Sequence, residues 1–240
     1  MRATAESTTL PLLDRRSDEC VPETTGNASG DWSLALRYAQ VPFYLNDKLL
    51  LLYGHRLVFR LGLHIATERV LAGEPVLYVD GANTFDPFAV ARLARAGRRR
   101  PHQVLAMIHV ARAFSSHQVD RLVSDCLAAA LDRYQARIAM LAGLFETFYE
   151  QTVSDQDAAR LFGRMMNALN RLTQQGYTIV CLCPAAPILT HAGRQRFDQL
   201  RVRADRVLCV QEEQGVVRLQ DNGLNDGRSW EIPCTLLTER

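Results

Sequence analysis

The chain reads as an α/β domain with a mostly parallel central sheet, helices on its faces and an antiparallel hairpin at its C-terminal edge. Three observations predict this. Short apolar runs bounded by turn residues alternate with longer segments whose apolar residues recur at helical spacing. One run, Val76–Val79, ends in Asp80 and a turn, as a buried parallel strand does at the edge of a site. Near the C-terminus, Arg206–Gln211 and Gly215–Gln220 flank Glu212–Gln214, the spacing of a hairpin.

Residues 1–31 are rich in Thr, Ser, Glu, Asp and Gly and are expected to form a flexible tail, leaving 32–240 as a single domain. Trp32–Ala39 has helical character, which Pro42 ends. Leu49–Tyr53 followed by Gly54 is a short buried strand entering a turn. Leu57, Leu61, Ile65 and Leu71 then mark a helix over Leu57–Leu71, stopped by Gly73-Glu74-Pro75. Val76–Val79 is the next strand. Pro87–Ala96 is an amphipathic helix, with Phe88, Val90, Leu93 and Ala94 apolar and Arg92, Arg95 and Arg99 outward. Val104–His109 reads as a strand, Ser116–Tyr134 as a helix and Ile138–Leu144 as an uninterrupted apolar strand. Ser154 is placed to cap a helix from Asp155 through Gln174, which Gly176 ends. Tyr177–Cys183 is a strand rich in β-branched and apolar residues, and Phe197–Val202 is irregular or helical.

Composition narrows the function. A net charge of +2 gives no global field of the kind that marks a nucleic-acid binder. Of the 28 cationic side chains, Lys48 is the only lysine. Compositional drift in a GC-rich genome accounts for that split more simply than selection for phosphate contacts. A P-loop needs Gly-Lys-Ser/Thr after a strand, and Lys48 lies between Asp47 and a run of leucines. The six cysteines sit mostly in apolar runs, as reduced buried thiols do. Cys181 and Cys183 share one face of a strand, with Leu182 opposite. The C-x2-C pairs of a zinc site are lacking, so no metal and no cofactor is expected. Met1–Asp31 has no apolar core and no run of about 18 apolar residues follows, so a cytoplasmic protein without a membrane partner is expected.

Several segments, in order, resemble the ATPase core of the RecA/RadA recombinase family. Asp80-Gly81-Ala82-Asn83-Thr84-Phe85 resembles its D-T-E-G-T-F segment. Ala111-Arg112-Ala113-Phe114-Ser115-Ser116-His117-Gln118 resembles the A-R-A-F-x-S/T-x-x-Q stretch after its next strand. Arg137–Tyr149 resembles the strand whose final Asp holds magnesium, Thr178–Pro184 the strand ending in a sensor amide, and Ala204–Leu219 the last strands. The resemblance covers about residues 49–220. It implies a RecA-like sheet whose cores associate edge to edge.

It also implies a site stripped of its chemistry. A gap-free match after Gly54 puts Arg60 where the P-loop Lys belongs and Leu61 where the magnesium-binding hydroxyl belongs. Arg has a larger, forked head, and Leu61 cannot ligate a metal. The catalytic Glu corresponds to Ala82, the magnesium Asp to Gly143 and the sensor amide to Ala185. Phosphoryl transfer relies on positioning and charge neutralisation, and each of these groups supplies one part. Their joint loss implies a pseudo-ATPase with no enzymatic role.

Other residues have two readings each. Asp80 is either a relic of the nucleotide site or the cap of the turn after it. Glu146, three residues past Gly143, is either a displaced carboxylate or an ordinary surface residue. Arg92, Arg95 and Arg99 form either a solvated face or a contact for a partner or DNA phosphates. A second basic run, Arg194, Arg196, Arg201, Arg203 and Arg206, falls where the family carries its DNA-binding loops. No His, and neither Ser115 nor Ser116, has a visible catalytic partner. The expectation is therefore a non-catalytic RecA-like subunit or adaptor. It would bind a protein partner, a recombinase or repair polymerase complex, in DNA recombination, repair or translesion mutagenesis. A single-stranded DNA-binding module and an unrecognised enzyme on a doubly wound fold are the alternatives.

Overall fold

In a computed structural model, residues 32–36, 39–44, 46–149, 153–184, 191–222 and 227–238 are described. The expected tail at 1–31 and the expected sensor position Ala185 lie outside them. Among the described residues the strands are β1 (Trp32–Leu36), β2 (Ala39–Phe43), β3 (Leu49–Gly54), β4 (Val76–Asp80), β5 (Ile108–Arg112), β6 (Ile138–Ala142), β7 (Thr178–Pro184), β8 (Arg206–Glu213), β9 (Val216–Asp221) and β10 (Ser229–Pro233). Eight of them form one sheet in the order β10-β9-β8-β3-β7-β6-β4-β5. From β8 to β5 every pairing is parallel, and β9 and β10 extend the sheet antiparallel. The chain is thus α/β with a mostly parallel sheet flanked by helices, plus a two-stranded antiparallel sheet of β1 and β2.

Strands buried on both faces read as continuous apolar runs, which is why β4, β6 and β7 were legible. Their side chains alternate between two cores. Leu50, Leu52, Tyr78, Met140, Val180 and Leu182 meet helices α1 (Val58–Leu71) and α2 (Pro87–Ala96) on one face. Leu51, Val79, Leu141, Cys181 and Cys183 meet α4 (Ser116–Arg121), α5 (Leu127–Arg133), α6 (Asp155–Gln174) and α7 (His191–Arg203) on the other. Cys181 and Cys183 therefore share a face, and burial pushes the Cys181 thiol up to about 12 and Cys183 well above the ordinary range. Both are inert packing groups. The cap expected at Ser154 forms, accepting from Asp157 N at 3.1 Å, and Ser115 adds a second, accepting from Gln118 N at 3.3 Å. α4 and α5 are one continuous element through a π turn at Leu122–Cys126.

Three elements differ from expectation. Trp32–Leu36 is a strand and not the expected helix: Leu34 and Val41 pair across β1 and β2 and are buried, and Pro42 sits within β2. A two-stranded ribbon tolerates the missing Pro N–H, and packing overrides the local helical character. The segment expected as a Val104–His109 strand begins instead as helix α3 (Pro101–Leu105), with Pro101 at its first position. Strand β5 follows at Ile108, registered against Val76. The irregular-or-helical stretch at Phe197–Val202 belongs to α7. Beyond the expected hairpin the chain adds β10, pairing Ile232 with Val217, and a last helix α8 (Cys234–Thr238) that packs on α1.

Arg206 belongs to the core, not to a basic surface run. It is 5% exposed, bonded to Asp221 at 2.9 Å, near Asp47 at 3.7 Å, and donates to the Pro42 carbonyl. Its guanidinium also lies over the rings of Phe43, Tyr44 and Trp230. One side chain thus ties β2 to the main sheet. Arg206→Ala leaves Asp47 and Asp221 without the cation between them, and a loss of about 3–5 kcal/mol is expected in urea unfolding.

Candidate functional site

Sheets of this kind bind ligands beyond the carboxyl ends of their parallel strands. The first such end here is β3. Gly54 has φ +122°, and a Cβ there would run into the Val210 carbonyl oxygen. The chain then turns directly into α1. His55 N donates to Val210 O at 2.7 Å, Leu57 N to His55 Nδ1 at 3.4 Å, Val58 N to His55 O at 2.9 Å and Phe59 N to Arg56 O at 3.3 Å. Each of these backbone donors is committed inside the chain. A phosphate cradle needs them pointing outward. Leu61 is fully buried in the core, and Arg60 reaches sideways to Asp86 at 2.6 Å. Asp86 in turn caps α2 through Phe88 N and Ala89 N, and the Arg60 bond together with these N–H donors holds its carboxyl below the usual range despite partial burial. Arg60 is a strut between two helices.

The ends of β4 and β6 are closer still. Gly81 N donates to Ala142 O at 2.7 Å and Gly143 N to Leu182 O at 3.2 Å, so main-chain bonding continues past the strand ends. Gly143 has φ +73°, and a Cβ there would lie 2.5 Å from Ala82 N. No aspartate fits at 143 while Ala82 occupies that place. Asp80 acts as a cap: its buried carboxylate accepts from Thr84 N at 2.9 Å and Phe85 N at 3.0 Å, with Arg112 Nε 3.7 Å away. Gly54, Asp80, Ala82 and Gly143 are thus gathered at one edge of the sheet, with Arg60 and Leu61 on the helix that leaves it. The space left above the first turn is a cleft of about 420 Å³, lined by His55, Arg56, Phe59, Thr84, Glu212 and Cys234 among others.

Glu146 departs from an ordinary surface residue. It opens a short 3-10 turn after β6, is half-buried, and its Oε2 is buried without a hydrogen-bond partner among the described residues. Burial pushes its carboxyl up to about 7, partly opposed by the backbone N–H groups of Glu146 and Phe145. Spacing alone gave no signal for this, because burial comes from elements remote in the chain. Among the described residues, no group of three or more His, Cys, Asp or Glu stands ready for a metal.

The arginines divide. Those of α2 lie on the α1 face of the sheet, whereas Phe197 and Leu200 anchor α7 on the opposite face. They cannot form one groove. The helical face shared by Arg92, Arg95 and Arg99 also fails, because α2 ends at Ala96, and Arg98, with φ +56°, turns the chain away. Arg196 is not available to DNA: it is 7% exposed, with its guanidinium over the Phe148 ring at 5.6 Å. Arg194, Arg201 and Arg203 are exposed.

An edge that residue patterns did not single out is β5, which ends the sheet with one side unpaired among the described residues. Val110 is exposed on it, and Phe114 just beyond is 63% exposed. Alongside runs an apolar groove of about 160 Å³, lined by Leu77, Val79, Leu122, Cys126, Leu127 and Tyr134 among others. The π turn forms part of its wall. His109 stacks on Tyr134 at 3.7 Å, and burial lowers its pKa. The chain matches no protein-family model. No helix among the described residues is long and apolar enough to cross a membrane.

Two outcomes follow from this geometry. Glu146 is protonated in both folded and unfolded chains below pH about 4.5. Between there and about 7 the unfolded chain loses its proton first, so stability falls as pH rises. Glu146→Gln is expected to flatten that fall, which is on the order of 3 kcal/mol, in denaturation curves at pH 5 and pH 8. Placing a carboxylate there by Gly143→Asp is expected to cost about 2–5 kcal/mol through positive φ and overpacking. Its melting temperature should show no rescue by Mg²⁺.

Proposed function

We propose that the protein is a non-catalytic subunit or adaptor of RecA-like fold. It would hold a protein partner within a DNA recombination, repair or translesion mutagenesis complex in the cytoplasm. The observation that carries the non-catalytic part is the contact of Gly143 with Ala82. The space where the resemblance would put a magnesium carboxylate is taken up by Ala82, and the N–H groups of His55, Leu57, Val58 and Phe59 go to internal acceptors. Arg60 in its ion pair and the buried Leu61 support the same reading. The adaptor part rests on β5. An unpaired strand beside an apolar groove offers main-chain hydrogen bonds for affinity and a pocket for specificity, the geometry of strand addition. A recombinase-type core is the partner that the resemblance favours, because such cores associate edge to edge.

Purified protein is expected to neither bind ATP nor hydrolyse it with Mg²⁺. Hydrolysis lost in Arg60→Ala would sink the non-catalytic reading. For the edge, Val110→Asp combined with Phe114→Asp should abolish co-elution with the source organism's recombinase while the melting temperature stays unchanged. Undiminished co-elution would remove β5 from the interface.

A further inference from the structure

Three helices, α1, α2 and α8, meet around a crevice of about 220 Å³. Helical spacing builds it. Ala89, Arg92, Leu93 and Ala96 share one side of α2, and Arg60, Leu63 and His64 share one side of α1. Leu63, Ala89, Leu93 and Leu236 make its walls apolar. The three polar side chains among them are not equivalent. Arg60 is already answered by Asp86 at 2.6 Å. Burial holds the His64 imidazole down to about 4, so it is uncharged at neutral pH and donates to the Leu236 carbonyl. Arg92 is half-buried and makes no ion pair among the described residues. Among those residues no Asp or Glu lines the crevice. A guanidinium held beside apolar walls without a counter-charge is costly, and its own stem leaves the crevice open.

We infer that this crevice binds a small carboxylic acid with an apolar body, its carboxylate on Arg92 and its hydrocarbon part against Leu63, Leu93 and Leu236. The guanidinium fork matches a carboxylate with two parallel hydrogen bonds. One uncommitted cation balances a monoanion. A phosphate ester, nearly doubly charged at neutral pH, would keep a charge unanswered. A neutral alcohol would fill the walls but leave Arg92 unpaired. A peptide C-terminus offers the same carboxylate, but it brings backbone N–H groups that apolar walls leave unsatisfied. Size sets a further limit. The crevice is smaller than the roughly 300–1,000 Å³ typical of sites for drug-sized ligands, so the acid has a short chain or a single ring. Nothing in this depends on β5, and the crevice stands as a site whether or not the edge-strand reading does. Arg92 is thereby separated from the solvated arginines that follow it on α2: it belongs to a pocket, and they do not.

The test is isothermal titration calorimetry of the full chain with sodium octanoate below its micelle concentration. Saturable one-to-one binding is expected, and octanol, with the same chain and no charge, should bind far more weakly. Lengthening the acid from butyrate to hexanoate should tighten binding roughly ten-fold, because two further methylenes are buried. Arg92→Gln should weaken octanoate roughly ten-fold to a hundred-fold through loss of the charged hydrogen bonds. Ala96→Glu places a carboxylate one helical turn from Arg92, where it pairs with the guanidinium and repels the acid, so a similar loss is expected. Arg95→Gln, next to the crevice but not in its lining, should change nothing. Four results would overturn the inference: no saturable binding, octanol bound as tightly as octanoate, unaltered affinity in both Arg92→Gln and Ala96→Glu, or an equal loss in Arg95→Gln. Tighter binding of a short peptide ending in leucine would overturn the assignment to a free acid.

Discussion

A parallel sheet covered by helices on both faces has only its strand ends left for chemistry, and here those ends are sewn together by main chain. Gly81 bonds to Ala142, Gly143 to Leu182, Ala113 to Asp80, and His55 to Val210. Four strand ends are thereby held at hydrogen-bond distance. The same bonds consume the donors that an anion would need. At this edge the bonds that give stability are also unavailable to an anion, because a backbone N–H satisfied internally is not offered to phosphate.

Around that seam, residues that resemble a nucleotide site have acquired structural work. Asp80 holds Thr84 and Phe85 in the turn, so its carboxylate is saturated by backbone donors. Arg60 braces α1 against the cap of α2. Leu61 fills the core. What remains free lies elsewhere: the unpaired side of β5 with its groove, and the crevice where α1, α2 and α8 meet. Under the proposed reading the chain binds through its edges and faces rather than at the centre of its sheet.

Strands β3, β4, β6 and β7 were legible because burial on both faces leaves continuous apolar runs, and α1, α2 and α6 because their apolar spacing is helical. Asp80 as a cap was legible from its place between a strand and a turn. The strand character of β1 and β2 was not, since it depends on Leu34 meeting Val41 and on Arg206 binding the Pro42 carbonyl from 164 residues away. β10 was missed for a similar reason: its short stretch becomes a strand only by pairing with β9. Burial of Arg196 and Arg206 had no sequence signal either. An arginine in a basic run looks the same whether a phenylalanine ring or water lies beneath it.

By itself the sequence determined the α/β alternation, the absence of any Gly-Lys pair, and the small residues Ala82 and Gly143 after two of the strands. These depend on residue identity and short-range spacing, which a chain carries without being folded. Tertiary structure decided what those absences mean. Only the approach of β4 to β6 makes Gly143 obligatory, and only the turn geometry shows the first-turn donors to be spent. It also decided which arginines are surface and which are core, and that the two basic groups lie on opposite faces. The physical reason is common to all of these. Burial and hydrogen-bond partnership are properties of contacts between residues distant in the chain, and no local pattern records them.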